Sequence, residues 1–446
     1  MKEIKGKFLT GSLMGHILRM TITGTVGITF IFLVDVINLF WISWLGNVKL
    51  VAAMGFAFSI QFFSVSVGIG LMIATTAVVS RSIGQGNRVL VRNLATSTMI
   101  IAVMTQVAVV ILIVIFREDF LWFMGAKGET AKLASRYLLF SLPSLPVMAL
   151  GMSGSAILRA EGDGVGAMLV TIIPGVIAVF IDPFLIVFLG LGLDGAAYGI
   201  WVSRIIMATI ALWIVLRTHD LLARPNINQT LVTIGPYFSV AGPTILTQLS
   251  TPVGNYLLTG VVAGFGDSAV AAWAVINRVT VLSFGGLFSL SGAIGGIFGQ
   301  NFGAKNYLRL GMTFRDGLIF CLGYTAIIWV VLLLLTDLIA KAFNLDDEGT
   351  KLVWVFTHFT PVAYIFSGTM FVACAAFNNT GKPLWSTMVN WLRDGVLTLP
   401  VALWLSGVFA SSGVIYAQCL VFIIVGLITT LWGLTYVRKL SKLEGI

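Results

Sequence analysis

Residues 28–46 read ITFIFLVDVINLFWISWLG, an apolar run interrupted by a single ionisable side chain, Asp35. The run is close to the roughly 20 residues that a helix needs to cross a bilayer. It shows no strict alternation of polar and apolar residues, so it does not read as a strand of a membrane barrel. Runs of the same kind recur along the chain, at 12–44, 49–80, 93–116, 130–158, 163–188, 194–216, 231–263, 268–298, 309–337, 350–378, 382–405 and 411–437. The expected fold is an all-α integral membrane protein of twelve spans.

Composition supports this reading. Of 446 residues, 58% are hydrophobic and 10% are charged. A soluble domain carries about 25% charged residues, so this chain needs lipid as part of its solvent. The net charge of +9 is too dispersed for nucleic-acid binding, which requires Lys and Arg on one face. It fits the excess of basic residues in cytoplasmic loops. With the termini and the even-numbered loops taken as one side, that side holds sixteen Lys and Arg, from Lys2 to Lys442, against six on the other. Both termini are therefore expected in the cytoplasm of a bacterium, with the chain in its inner membrane. The basic start (Lys2, Lys5, Lys7) precedes a long run without a small-x-small cleavage site, so it reads as span one and not as a removed signal. Cys321, Cys374 and Cys419 lie in apolar runs, and the three histidines form no metal-ligand spacing. Neither a metal site nor an enzyme's catalytic cluster is expected.

The chain also repeats. RSIGQGN at 81–87 and QNFGAKN at 300–306 align Gly84 with Gly303 and Asn87 with Asn306, and the same offset of 219 aligns Gly162 with Gly381. WLGNVKLVAAMG at 44–55 resembles GFGDSAVAAWAV at 264–275. The polar stretch RTHDLLARPNINQ at 217–229 lies between the two sets. The expected organisation is a first lobe at 1–216, a cytoplasmic linker at 217–230 and a second lobe at 231–446. Six spans per half insert both halves the same way round, which relates them by a pseudo-two-fold axis along the membrane normal.

Ionisable groups inside apolar runs mark candidate functional sites, because a charge in hydrocarbon is costly. Asp35 has no counter-charge among its sequence neighbours, and Asn38 stands one turn away. Protonation removes the cost of its buried charge, so it can serve as a proton-loading group. Asp182 precedes Pro183 and follows Pro174, in a span expected to kink. Asp394 adjoins Arg393, but neighbours on an α-helix point about 100° apart, so the sequence does not require them to pair. Asn390, at i−4, shares a face with Asp394. Arg204, Arg278 and Arg393 read as buried bases, whereas Arg19 and Arg136 sit nearer span ends. The offset places Gly254 and Asn255 opposite Asp35, so the second half lacks the equivalent acid. Pro236, Pro243 and Pro252 predict a bent span seven, and Gly24 and Gly27 offer a flexible point in span one.

The stretches 34–63, 68–87, ILRAEGD at 157–163, IDPFLIVFLGLGLDGAAYG at 181–199 and AVAAWAVINRV at 269–279 resemble the multidrug and toxic compound extrusion (MATE) family, in order and spacing over nearly the whole chain. The resemblance implies a secondary active transporter, with six-helix lobes around a cleft, that exports cationic or amphipathic drugs and dyes in exchange for protons or sodium. Acids at spans seven and ten, which mark one branch, are missing here. The DinF-like branch instead has a span-one Asp matching Asp35, a span-five Asp matching Asp182 and a span-four Tyr resembling Tyr137. Two family oxygen donors are replaced, by Ala178 and Ile200. A sodium ion needs several oxygens and a proton needs one base, so the resemblance points to protons as the coupling ion. Sodium coupling, or a lipid-linked sugar flippase of the same superfamily, is the alternative. The protein is expected to act as a monomer, without cofactor.

Overall fold

The computed structural model describes residues 6–44, 48–343 and 345–442, apart from the side chains at 32, 35, 36, 38, 39, 43 and 48. Among these residues the regular structure is helical throughout, with no strand. The α-helices are α1 (Leu13–Trp44), α2 (Val48–Gly84), α3 (Arg88–Ile115), α4 (Arg117–Phe123), α5 (Gly128–Ser141), α6 (Leu145–Glu161), α7 (Gly164–Pro183), α8 (Gly192–Trp213), α9 (Ile227–Ala263), α10 (Asp267–Gly303), α11 (Tyr307–Ala342), α12 (Asp347–Asn379), α13 (Pro383–Trp391), α14 (Thr398–Phe409) and α15 (Ser412–Ser441). A 3₁₀ turn at Leu142–Ser144 makes α5 and α6 one span, and a π-helical segment at Leu392–Leu397 does the same for α13 and α14. Ten of the resulting segments are long and apolar enough to cross a bilayer. With 32 and 37 residues, α1 and α9 complete the expected twelve. α9 runs helical through all three of its prolines. On α11, Ile319, Leu322, Ile327, Val330, Leu334 and Leu338 are all exposed. An apolar surface of that extent belongs in lipid.

The repeat is visible at atomic level. The Asn87 side chain caps α3 by accepting from Leu90 N at 3.1 Å, and Asn306 caps α11 by accepting from Arg309 N at 3.0 Å. Gly162 and Gly381 have φ of 92° and 91°. The same offset pairs Gly86, at φ 78°, with Lys305, at φ 59°. A side chain in this left-handed region costs about 1–2 kcal/mol. Lys305→Gly should therefore raise the stability of the purified protein by about 1 kcal/mol, read as a higher melting temperature in detergent, whereas Gly86→Lys should lower it.

The described chain packs as two compact units, Val26–Ile245, and Lys5–Thr25 with Leu246–Ile446. Both boundaries fall inside helices, so α1 and α9 each contribute to two units. Within the second unit the N-terminal segment is clamped. Phe8 N donates to Gln300 Oε1 at 2.9 Å, and Arg309 donates to Phe8 O at 2.9 Å and to Thr10 O and Gly11 O at 2.8 Å. Ser289 Oγ then donates to Thr21 O at 3.0 Å, and a Cβ on Gly24 would overlap Ser289. Within the first unit, Tyr237 on α9 donates to Leu71 O at 2.9 Å, and Thr244 donates to Gly70 O at 2.9 Å. Gly70 is required there, since a Cβ would stand 2.6 Å from the Ile245 backbone. Gly24 and Gly27, read in sequence as a flexible point, are both sites of close helix approach.

The connection after α8 is held firmly. Asp220 pairs with Arg88 at 3.1 Å and Arg92 at 3.2 Å. Arg92 Nε also donates to Leu222 O at 2.9 Å, and Leu221 and Leu222 are buried.

Candidate functional site

The first unit brings α1 and α7 together side by side. A Cβ on Gly27 would stand 2.8 Å from Thr171 Oγ1, and a Cβ on Gly175 would stand 2.8 Å from the Phe30 ring and 3.2 Å from Val34. Both contacts step forward along both helices, so α1 and α7 run parallel here, with position 27 level with 171 and 30–34 around 175. Continued by one turn, this register brings positions 35–38 level with 179–182. The backbones at Asp35 and Asp182 therefore lie within about one turn of each other along the helix pair. The side chains of Asp35 and Asn38 are outside the described residues.

Asp182 is buried at 2% exposure, one turn after buried Ala178. It ends the α-helical part of its span beside Pro183, after which Phe184–Phe188 continue as a π-helical turn. The span read in sequence as kinked thus changes helix type directly after Asp182 and Pro183. Gly199 on α8 faces the carboxylate, and a Cβ there would overlap Asp182 Oδ1. Tyr137 on α5 is buried at 2% exposure in an apolar cluster with Ile42, Ile186, Ala196 and Ala197, and Ile200 packs against that cluster. Thus Tyr137 and Asp182 are both interior groups around α8. Ala178 and Ile200, both apolar, stand at the two positions where the resembled family carries oxygen donors.

The second unit holds a different centre. Arg393 donates to Asp394 through two nitrogens, Nε to Oδ1 at 2.6 Å and an Nη to Oδ2 at 2.8 Å. The two side chains are 5% and 9% exposed. The neighbours pair, which the sequence left open. They lie in the π-helical segment, where Thr398 Oγ1 donates to Arg393 O at i−5 over 2.6 Å. The wider turn reduces the angle between neighbours, and the long arginine stem folds back. Asn390 is no partner of Asp394; its amide donates to Ser386 O at 2.8 Å. Asp394 Oδ2 also accepts from Ser250 and Thr251 on α9, both at 3.3 Å. The guanidinium lies over the rings of Phe422 and Phe371, 4.9 Å and 5.6 Å from their centroids.

The repeat matches none of these acids to another acid in the other lobe. In the second unit α9 lies along α13, with Thr247 bonded to Thr387 at 3.0 Å and Trp391 Nε1 donating to Leu246 O at 2.9 Å. Gly254, which matches Asp35 in the repeat, meets Asp394, since a Cβ there would stand 2.9 Å from the Asp394 Cβ. Asp394 in turn matches Gly175, which meets α1. In the register of the repeat the first lobe has Asp35 where the second has Gly254, and the second has Asp394 where the first has Gly175, whereas Asp182, also on α7, matches Val401.

The other bases divide. Arg204 is half-buried and donates to Ser141 O at 3.2 Å and Ser144 Oγ at 2.5 Å. Arg136 pairs with Asp194 at 2.5 Å. Arg278, expected to be buried, is exposed, on a face of α10 shared with Asp267, Ala271, Ala274 and Leu282. That face points away from the interior of its own lobe. Among the described residues there is no group of three or more His, Cys, Asp or Glu able to hold a metal ion.

The MatE family model matches residues 21–184 and 243–404, well over half of the chain. The FAD transporter of Shewanella oneidensis is 24% identical over 392 residues, 86% of this chain and 86% of that protein. The multidrug export protein MepA of Staphylococcus saprophyticus is 21% identical over 418 residues, 92% of this chain and 91% of that protein. Among solved structures, the Vibrio cholerae MATE transporter VcmN superposes with a TM-score of 0.88 at 24% identity, covering 96% of this chain and 97% of that one. Its likeness confirms the fold: twelve helices in two lobes.

Proposed function

This chain belongs to the MatE family, and from that premise we propose that it is a secondary active antiporter that exports cationic or amphipathic drugs and dyes in exchange for protons. Its two lobes are 1–216 and 231–446, and 217–230 is the linker. Both termini face the cytoplasm, across the inner membrane of a bacterium. Asp35 and Asp182 carry the coupling proton, with Asn38 and Tyr137 in the surrounding hydrogen-bond network, as in the DinF-like branch.

The observation that supports this reading most is the α1–α7 register, which brings the backbones at Asp35 and Asp182 to one level of one helix pair. The side chains of Ala178 and Ile200 supply no oxygen, which favours a proton over sodium. The second-lobe acid is already engaged by Arg393, Ser250 and Thr251. Coupling requires proton and drug to prefer different states of the transporter. Each entering proton then contributes about 2.3 kcal/mol per 100 mV and about 1.4 kcal/mol per pH unit.

The test is dye accumulation in proteoliposomes under an imposed pH gradient. Asp35→Asn should lower the accumulation ratio at least about ten-fold, the factor carried by one pH unit, and Asp182→Asn should act in the same direction. Uphill transport by Asp35→Asn at the wild-type ratio would overturn the proposal, and so would transport driven by a sodium gradient without a pH gradient. The Shewanella relative supplies a second substrate to assay, because FAD is anionic and the dyes are cationic.

A further inference from the structure

A groove of about 630 Å³ opens between α13 and the end of α15, in the second unit, and none of the acids discussed above lines it. Its floor is aromatic, made of Trp385, Trp432 and Tyr436, and its rim carries Arg438, Lys439 and Lys442. Phe377 braces the floor from beneath: its ring lies 5.3 Å from Trp385, 5.3 Å from Trp432 and 5.8 Å from Tyr436. The Trp385 and Trp432 rings stand 4.7 Å apart. A fourth cation, Lys382, sits over the Trp385 ring at 5.5 Å.

Helical spacing builds this arrangement. Positions 432, 436 and 439 recur every three or four residues and share a face of α15, and Arg438 and Lys442 form the next ridge. The helix end is fixed by Ser441 Oγ, which donates to Tyr307 O at 3.0 Å. Among the described residues no acid lines the groove. Trp and Tyr gather at the level of lipid headgroups, and basic pockets between helices at that level receive anionic headgroups. The volume lies within the range of about 300–1,000 Å³ common for small-molecule sites.

We propose that this groove is a binding site for an anionic phospholipid, with the phosphate at the Arg438–Lys439–Lys442 rim and the glycerol and first acyl carbons on the indole faces. The apolar floor distinguishes this ligand from free phosphate, which would gain nothing from Trp385 and Trp432. The presence of three rim cations in one place distinguishes it from a zwitterionic lipid.

The test uses the full chain, purified in detergent and incubated with phosphatidylglycerol, phosphatidylcholine or inorganic phosphate. Bound molecules are counted by native mass spectrometry. Wild type should retain phosphatidylglycerol about ten-fold better than the Arg438→Gln/Lys439→Gln/Lys442→Gln variant, show no such difference with phosphatidylcholine, and keep its lipid in the presence of inorganic phosphate. A second triple variant, Lys127→Gln/Lys132→Gln/Lys351→Gln, removes three exposed cations elsewhere and should retain lipid like wild type. A single Lys439→Glu reversal should show a partial loss. Equal retention by the rim variant, equal loss in the control variant, or displacement by inorganic phosphate at matched concentration would each overturn the proposal.

Discussion

Arg393→Met is expected to destabilise the protein by about 3–5 kcal/mol, the cost of leaving one member of a buried ion pair alone. The substitution keeps most of the volume and removes the charge. Asp394 then retains only Ser250 and Thr251, both at 3.3 Å, in a site 8% exposed. Asp394→Asn should produce a loss of the same sign, because the guanidinium would keep its aromatic neighbours and lose its bidentate acceptor. The double variant Arg393→Met/Asp394→Leu should recover most of the stability, since replacing a whole buried pair by apolar groups is often neutral or better. Unfolding titrations of the four proteins give the coupling between the two positions. If the singles and the double add independently, the pair does not hold the second lobe together. Transport by the double variant tests a separate matter, whether the pair also serves the transport cycle.

The twelve spans were legible because bilayer thickness imposes a length that apolar runs display directly. The repeat was legible because turns constrain sequence tightly. Asn87 and Asn306 recur as helix caps, and Gly162 and Gly381 recur at left-handed φ. Three features lay beyond sequence reading. The Arg393–Asp394 pair depends on a π-helical turn, which no residue pattern announces. The exposure of Arg278 depends on which face of α10 its own lobe covers. The division of α1 and α9 between compact units depends on tertiary packing, as in the hold of Gln300 and Arg309 on residues 8–11. The candidate acids were found from their cost in hydrocarbon. The level of their backbones along the helix pair came from the two glycine contacts between α1 and α7, because a glycine's sequence position does not say which helix it approaches.

Gly199→Ala is expected to lower transport by about ten-fold or more while costing about 1–3 kcal/mol of stability, the range for overfilling a packed interior. The added methyl would overlap the Asp182 carboxylate, so either Asp182 turns away or α7 and α8 separate. Separation is opposed by a second close contact of α8 with the π-helical segment that continues α7, since a Cβ on Gly195 would stand 2.7 Å from Leu185 O. With the helices held there, the carboxylate is the part that moves. A displacement of that size changes what Asp182 can share with its surroundings, and catalytic or coupling geometry is sensitive to shifts of about 1 Å. Stability and transport should therefore respond differently to a second substitution. Asp182→Ala in the Gly199→Ala background removes the overlap, so the stability loss should shrink, giving a favourable interaction energy between positions in contact. Transport should not return, because the acid is gone. If transport in Gly199→Ala is normal while stability falls, Gly199 serves packing alone and the position of the Asp182 carboxylate does not govern coupling.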